Sequence, residues 1–328
     1  MTAMRSSDAK NILVTGGAGF IGSHMVDRLI LQKHKVRVLD NLSSGRLDNL
    51  ENSLKNPNLT FIECDLKKPR DIEKSVAKAD LVFHFAANPE VRIGETAPQV
   101  HFEENTLATF NLVEALRKKN LVCPIVFAST STVYGEAAAL PTPEDYGPCF
   151  PISLYGASKL GAEALLSAYA YTFDFRSLAL RFANIVGRRA KIGIILDFIR
   201  KLQQDSTSLE VLGDGTQLKS YLHVDDCIEA VLSAVDAFLK GGQRTDTYNI
   251  GSPDNVAVAK IAHIVAKEMG IPEPRLICTG GVDGGRGWRG DVKRMHLSTD
   301  KLSQVGWRPR YNSEEAVRKA ARELLGHR

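Results

Sequence analysis

Short apolar runs at residues 11–15, 36–39, 59–63, 80–84, 124–128 and 176–180 alternate with longer stretches whose apolar positions recur every three or four residues. The runs have the length and the flanking turn residues of strands, and their near-continuous apolar character fits burial on both faces. Met25, Leu29 and Ile30, and then residues 100–116 and 160–172, carry helical spacing instead. Strands alternating with helices predict an α/β fold with a doubly wound parallel sheet, in which ligands lie beyond the carboxyl ends of the strands. Beyond Asn184 the rhythm changes. A helix at 192–202, a strand at 208–212 and a turn at Gly213-Asp214-Gly215 predict a smaller α/β domain. The chain is expected to return to the sheet through 223–239 and a strand at 247–250. The expected division is therefore residues 10–184 and about 221–251 for the sheet domain, with 185–220 and 252–328 for a substrate domain.

The polar residues at the strand ends carry the chemistry. The first run ends in Gly16-Gly17-Ala18-Gly19-Phe20-Ile21-Gly22, with Gly16, Gly19 and Gly22 between a strand and a helical pattern. That context is the one a dinucleotide fingerprint requires: the glycines let backbone N–H groups approach a pyrophosphate at a helix N-terminus. The fold class is thus Rossmann-type. The second run ends in Asp40, roughly 20 residues past the glycines, where an acid hydrogen-bonds ribose hydroxyls. An acid there repels a 2′-phosphate and favours NAD, while Arg46 nearby keeps NADP open. Asp65-Leu66, Phe85-Ala86-Ala87 and Ser129-Thr130-Ser131-Thr132 close the next runs. Each also has the composition of an ordinary helix-capping loop, and for Asp65 the two readings weigh about equally.

Tyr155 and Lys159 stand at i and i+4 in a stretch that opens a helix, so they share one face. A neighbouring ammonium favours the ionised form of a phenol whose ordinary pKa is about 10, which makes a base usable near neutral pH. The pair alone also occurs on ordinary surfaces.

Composition narrows the remaining classes. The chain has 328 residues, 44% hydrophobic and 24% charged, with a net charge of +4 and no Lys/Arg block. That argues against nucleic acid as a partner. Cys64, Cys123, Cys149, Cys227 and Cys278 are scattered and include no C-x-x-C, so neither structural disulfides nor a metal site is expected, and a reducing cytoplasm is. The polar opening stretch and the lack of any 18-residue apolar run predict neither a secretory leader nor a membrane span.

Together, Thr15 to Gly22, Asp40-Asn41-Leu42, His84-Phe85-Ala86-Ala87, Ser129 to Gly135, Tyr155 with Lys159, Leu180-Arg181-Phe182-Ala183-Asn184 and Tyr221 to Asp226 resemble an extended short-chain dehydrogenase/reductase. Within that superfamily the chain most resembles the UDP-glucose (UDP-galactose) 4-epimerases, from about residue 11 to the C-terminus. The resemblance implies bound NAD, a nucleotide-sugar substrate (a UDP-hexose), and catalysis by Thr130, Tyr155 and Lys159. It also implies cofactor contacts at Gly16, Gly19, Phe20, Ile21, Gly22, Asp40, Asn41, Ser43, Ser44, Gly45, Asp65, Leu66, Phe85, Ala86, Ala87 and Asn105. Related 4,6-dehydratases carry an Asp-Glu pair before the Val-Tyr-Gly, and decarboxylases a Glu. Here Ser131 and Thr132 stand in those places and cannot do carboxylate chemistry.

For the substrate, the resemblance implies contacts at Thr130, Asn184, Lys219, Arg286 and Arg289. Lys219 stands where an Arg is usual, keeping charge but losing the bidentate fork. Ile194-Ile195 replace the usual Asn-Leu, which leaves the uridine contacts open. The stretch 280–291 is glycine-rich enough to read as a flexible linker, whereas the resemblance makes it a substrate-closing loop bringing Arg286 or Arg289 to a diphosphate. The stretches 100–116 and 160–172 have more apolar face than one sheet contact needs, and the resemblance implies that they pair in a homodimer. The alternatives are a UDP-glucuronate 4-epimerase, with Arg92 either meeting the carboxylate or equally a solvated helix-start residue, another nucleotide-sugar oxidoreductase, or a non-catalytic NAD-binding protein.

Overall fold

The computed structural model describes residues 9–327, so nearly all of the polar opening stretch lies outside the described residues. Along the first part of the chain run β1 (Asn11–Thr15), α1 (Phe20–Leu31), β2 (Lys35–Asp40), α2 (Glu51–Leu54), β3 (Leu59–Glu63), α3 (Pro69–Ser75), β4 (Leu81–His84), α4 (Ile93–Thr96), α5 (Pro98–His101), α6 (Ala108–Lys118), β5 (Pro124–Thr130), α7 (Leu154–Thr172) and β6 (Arg176–Phe182). There follow β7 (Asn184–Val186), α8 (Ile194–Gln204), β8 (Ser208–Val211), β9 (Leu218–Lys219), β10 (Tyr221–His223), α9 (Val224–Lys240), β11 (Thr245–Ile250), β12 (Val256–Ala257), α10 (Val258–Glu268), β13 (Arg275–Cys278), β14 (Arg294–Met295), α11 (Asp300–Gln304) and α12 (Ser313–Leu324).

Seven strands form one sheet in the order β11-β6-β5-β4-β1-β2-β3. β1 lies parallel between β2 and β4, with Val14 opposite both Val38 and Phe83. The strand order reverses there, which is the doubly wound switch point where such sheets take their ligands. Ile12, Leu13, Val14, Leu81, Val82 and Phe83 are at most 1% exposed, the reason β1 and β4 read as unbroken apolar runs. One layer of core beside the sheet joins Leu13, Val82, Ile125 and Phe127 to Ile72 of α3, Leu112 and Leu116 of α6, and Leu166 of α7. Burying Leu112, Val113 and Leu116 contributes roughly 1.5–3 kcal/mol each. That outweighs the few tenths by which Thr109 and Val113 disfavour a helix.

The helical pattern at 100–116 is not one α-helix. α5 gives way to a π-helical turn at Phe102–Leu107 before α6 begins. Such turns insert one residue into the ladder and recur at functional sites.

The chain gathers into two compact units. The first runs to Thr130 and resumes at Ala157–Arg181 and Val231–Tyr248; the second takes Ser131–Gly156, Phe182–Ala230 and the chain from Asn249 onward. Residues 131–156 join the second unit through Thr142 N–H to the His296 carbonyl (2.8 Å) and Tyr134 Oη–H to Asn249 Oδ1 (2.8 Å). Its core is set by the stripe Ile195, Phe198, Ile199 and Leu202 of α8, which meets Leu209, Ile261, Val265, Val317 and Ala320. A three-stranded sheet, β12-β9-β14, carries Lys219. No helix among the described residues is long and apolar enough to cross a membrane.

Candidate active site

In the first unit the glycine turn is shaped by what it lacks. Gly16 has φ +68, and a Cβ there would lie 2.5 Å from the Ala86 backbone N; a Cβ on Gly22 would lie 2.1 Å from the Gly16 carbonyl oxygen. Only glycines let this turn pack against the 85–86 segment and under its own helix. Gly19 stands at the N-cap of α1, Phe20 and Ile21 open the helix, and no side chain caps it. The first N–H groups of a helix have no intrahelical partner, which suits them to an anion.

Asp40, 7% exposed at the end of β2, accepts Ala18 N–H on Oδ2 (2.9 Å) and Leu42 N–H on Oδ1 (2.8 Å). The Ala18 carbonyl in turn accepts Arg46 N–H (3.0 Å) and Asn49 Nδ2–H (2.8 Å). The glycine turn and the acid are thereby one hydrogen-bonded piece. Asn41 Oδ1 accepts both Ser43 N–H (3.1 Å) and Ser43 Oγ–H (2.8 Å), and Ser44 and Gly45 complete that loop. The Arg46 guanidinium is turned to Asp48 (2.6 Å). Asp65 closes an Asx turn on Lys67 N–H (2.9 Å), and the Leu66 carbonyl accepts Asn111 Nδ2–H (2.9 Å). Phe85, Ala86 and Ala87 follow β4, with Phe85 N–H on the Thr15 carbonyl (3.0 Å). A turn that a side chain would fill, beside a buried acid, fits a dinucleotide.

A buried polar chain that the sequence did not reveal joins this turn to α6. Ala86 N–H donates to Thr15 Oγ1 (3.3 Å), which bonds His84 Nδ1 (2.7 Å); His84 Nε2 bonds Thr109 Oγ1 (2.8 Å), and Thr109 Oγ1–H donates to the Asn105 carbonyl (2.6 Å). Donors and acceptors alternate correctly only if His84 is neutral with its proton on Nε2. Burial, reinforced by the charge of Lys159, pushes its pKa down to about 3, so the ring is neutral near neutral pH. Asn105, 1% exposed in the π-turn, accepts Asn88 N–H (2.8 Å) and donates to Ser158 Oγ (2.9 Å). Both ends of its amide are engaged within the protein.

α7 begins at Leu154, with Tyr155 in its first turn and Lys159 one turn on. Lys159 is 2% exposed; its Nζ donates to the Ala128 carbonyl of β5 (2.8 Å) and stands 4.8 Å from the Phe127 ring centroid. Burial lowers its pKa to about 7, against a raising pull from Glu163. Thr130, 7% exposed, ends β5 two residues beyond Ala128.

In the second unit Ser131 and Thr132 open a 3-10 turn, Asn184 Nδ2 donates to the Ser220 carbonyl (3.1 Å), and Lys219 pairs with Asp291 beside the Trp288 ring. The stretch 280–291 is folded: Val282 and Arg286 exchange two backbone bonds (3.0 and 2.9 Å), and Gly287 N–H donates to Asp291 Oδ2 (3.1 Å). Arg286 is held by Glu136 (2.7 Å) and Lys293 by Asp214 (2.7 Å), whereas Arg289 is exposed and makes no ion pair among the described residues.

A phenol and an ammonium on one helix, in a fold whose glycine turn fits a dinucleotide at the switch point, suit oxidoreductase-type chemistry on a bound substrate. Comparison with known proteins names the group. Residues 12–251 match the NAD dependent epimerase/dehydratase family. The chain is 31% identical over 320 residues to a UDP-glucose 4-epimerase of Mycolicibacterium smegmatis, covering 94% of this chain and 96% of that one. A crystal structure of UDP-galactose 4-epimerase superposes with TM-score 0.85 at 46% identity, over 96% of this chain and 99% of the other. The NAD complex of the Thermus thermophilus UDP-glucose 4-epimerase gives TM-score 0.82 at 31% identity, over 96% and 99%. The chain belongs to the NAD-dependent epimerase/dehydratase family, within the extended short-chain dehydrogenases, and its cofactor is NAD.

Proposed function

We propose that this enzyme interconverts UDP-glucose and UDP-galactose by epimerisation at C4 through a transient 4-keto sugar. The observation that carries the reading is α7, which aligns Tyr155 with a buried Lys159 fixed to the strand that ends in Thr130. NAD, when bound, supplies a hydride acceptor at C4 and returns the hydride. Tyr155, kept ionised by the ammonium of Lys159, removes the proton of the 4-hydroxyl and restores it to the same oxygen. Thr130 hydrogen-bonds that oxygen. Ser131 and Thr132 offer no carboxylate, so elimination has no acid to drive it. The glycine turn and the α1 N-terminus are proposed to hold the pyrophosphate, Asp40 the ribose hydroxyls, and Asn41 to Gly45, Asp65-Leu66 and Phe85 to Ala87 the walls of the cofactor site. Cys64, Cys123, Cys149, Cys227 and Cys278 form no disulfide among the described residues, which suits a reducing compartment.

The deciding experiment is product analysis of the purified protein with UDP-galactose, UDP-N-acetylgalactosamine and UDP-galacturonate, each without added NAD. Formation of UDP-glucose from the first supports the reading. Turnover of only another sugar, or of none, overturns it.

Asn184, Lys219, Arg286 and Arg289 are proposed to face the substrate, with Arg289 as the principal diphosphate cation because the others already have partners. Arg289→Ala should then raise KM about 10- to 100-fold, the range of a lost charge-assisted bond, while Arg286→Ala raises it far less. Steady-state kinetics decide between them, and the reverse ranking would assign the role to Arg286.

The homodimer is proposed on the exposed apolar face of the 102–107 turn, α6 and α7, where Phe102 and Phe110 are 58% and 40% exposed and Ala157, Gly161, Ala164 and Ala168 form a row ending at Tyr171. Ala168→Arg puts an unpaired charge into that face. Light scattering should show the mass falling from two chains to one; an unchanged mass would place the interface elsewhere.

A further inference from the structure

Two buried charged side chains beside Lys159 have no part in the reaction just described. Glu163 lies one turn beyond Lys159, so Tyr155, Lys159 and Glu163 follow one another at i, i+4 and i+8 along one face of α7. Its carboxylate takes a bidentate grip from Arg181 of β6, Nε to Oε1 at 3.1 Å and Nη2 to Oε2 at 2.8 Å, and both side chains are 9% exposed. Ser129 of β5 donates its hydroxyl to the same Oε1. Successive residues of β5 are thus read by successive turns of α7: Phe127 and Ala128 by Lys159, Ser129 by Glu163. Glu163 also lines an open cavity of about 240 Å³ with Leu160, Ser167, Ser177 and Thr247.

We infer that Glu163 is a positioning residue for Lys159: clamped by Arg181 and Ser129, it supplies the negative charge nearest the buried ammonium on its own helix and locks the register that delivers Lys159 to Ala128. The inference rests on the proposed reading only in assigning Lys159 to the service of Tyr155. Its electrostatic part follows from what surrounds the ammonium. Tyr155 and Glu163 flank it on α7, β5 presents a carbonyl and a ring, β4 a neutral His84, α5 His101, and β6 Arg181, whose cation faces the carboxylate. Among these Glu163 raises the ammonium's proton affinity while burial lowers it. A buried ion pair adds little stability over an apolar pair of like shape, so the charge of this one calls for a role of this kind.

The sign of the effect is the test. Holoprotein carrying 13C-labelled lysine is titrated by NMR without substrate, the Lys159 resonance being identified by its loss in Lys159→Met, and the pH profile of kcat/KM for UDP-galactose is measured in parallel. Glu163→Gln should lower the pH at which Lys159 gives up its proton by about one unit or more, and move the alkaline limb of activity with it. Glu163→Asp, which keeps the charge, should stay near wild type. Arg181→Met, which leaves the carboxylate and removes its cation, should shift both curves upward. The double variant Glu163→Gln/Arg181→Met, neutral at both places, should fall between the singles, and it serves if either single fails to fold. Titrations that do not move, or single variants that move the same way, would reduce the pair to a structural clamp and overturn the inference. A shifted lysine titration with no epimerisation of any sugar would instead sustain the inference while removing the proposed reaction.

Discussion

In the proposed reaction, Tyr155→Phe leaves a folded protein that retains NAD and turns over UDP-galactose with kcat reduced about 10²- to 10⁴-fold, the contribution expected of a general base. The substitution removes one hydroxyl and keeps the ring. Lys159 stays anchored, since its bond runs to the Ala128 carbonyl and not through the phenol. KM should change little, because the interaction proposed for the phenol is made to the reacting oxygen during proton transfer. Chromatography of the nucleotide sugars together with the absorbance of released NAD would record both halves of the result. Turnover near the wild-type rate would remove Tyr155 from the mechanism.

Gly22→Ala has an effect of a different kind and comparable size. The added methyl would stand 2.1 Å from the Gly16 carbonyl oxygen and 2.9 Å from the Gly17 Cα, both backbone atoms that cannot swing aside. The turn must therefore open. A strain of about 3 kcal/mol is expected at the upper end of overpacking costs, visible as a lower midpoint in thermal unfolding. The turn is also the proposed pyrophosphate seat, so the purified variant should carry little or no NAD. A variant that unfolds normally and still holds its nucleotide would show that the turn has slack which the close packing of Gly16 and Gly22 does not suggest.

What the sequence made legible was local. The strands of the sheet, the glycine turn and the Tyr155–Lys159 pair are each set by residues within a few positions of one another, where the periods of strand and helix and the conformational freedom of glycine act directly. What it hid depends on distant residues meeting. Glu136 holds Arg286 across 150 positions, Asp291 holds Lys219 across 72, and the chain from Thr15 through His84 to Thr109 spans three elements. The π-turn at 102–107 falls inside a stretch with helical apolar spacing, and the residue it inserts into the hydrogen-bond ladder is a backbone feature that such spacing does not report. Arg181 was the one available signal for the Glu163 clamp: a charged residue in a run otherwise buried on both faces requires a partner. The glycine-rich 280–291 stretch, by composition a linker, is instead tied down by its own acid, Asp291.

Ala18 lies between the turn and the acid, bonded through its N–H to Asp40 and through its carbonyl to Arg46 and Asn49. With the ribose seated at Asp40 as proposed, choice of dinucleotide and shape of the cradle are for that reason inherited together. A lineage drifting toward a 2′-phosphorylated cofactor would first have to discharge Asp40, and in doing so would release the main chain at Ala18 and Leu42. Such an exchange therefore has to proceed through paired changes on either side of β2, and a laboratory redesign limited to the acid would inherit a slackened turn along with its new preference.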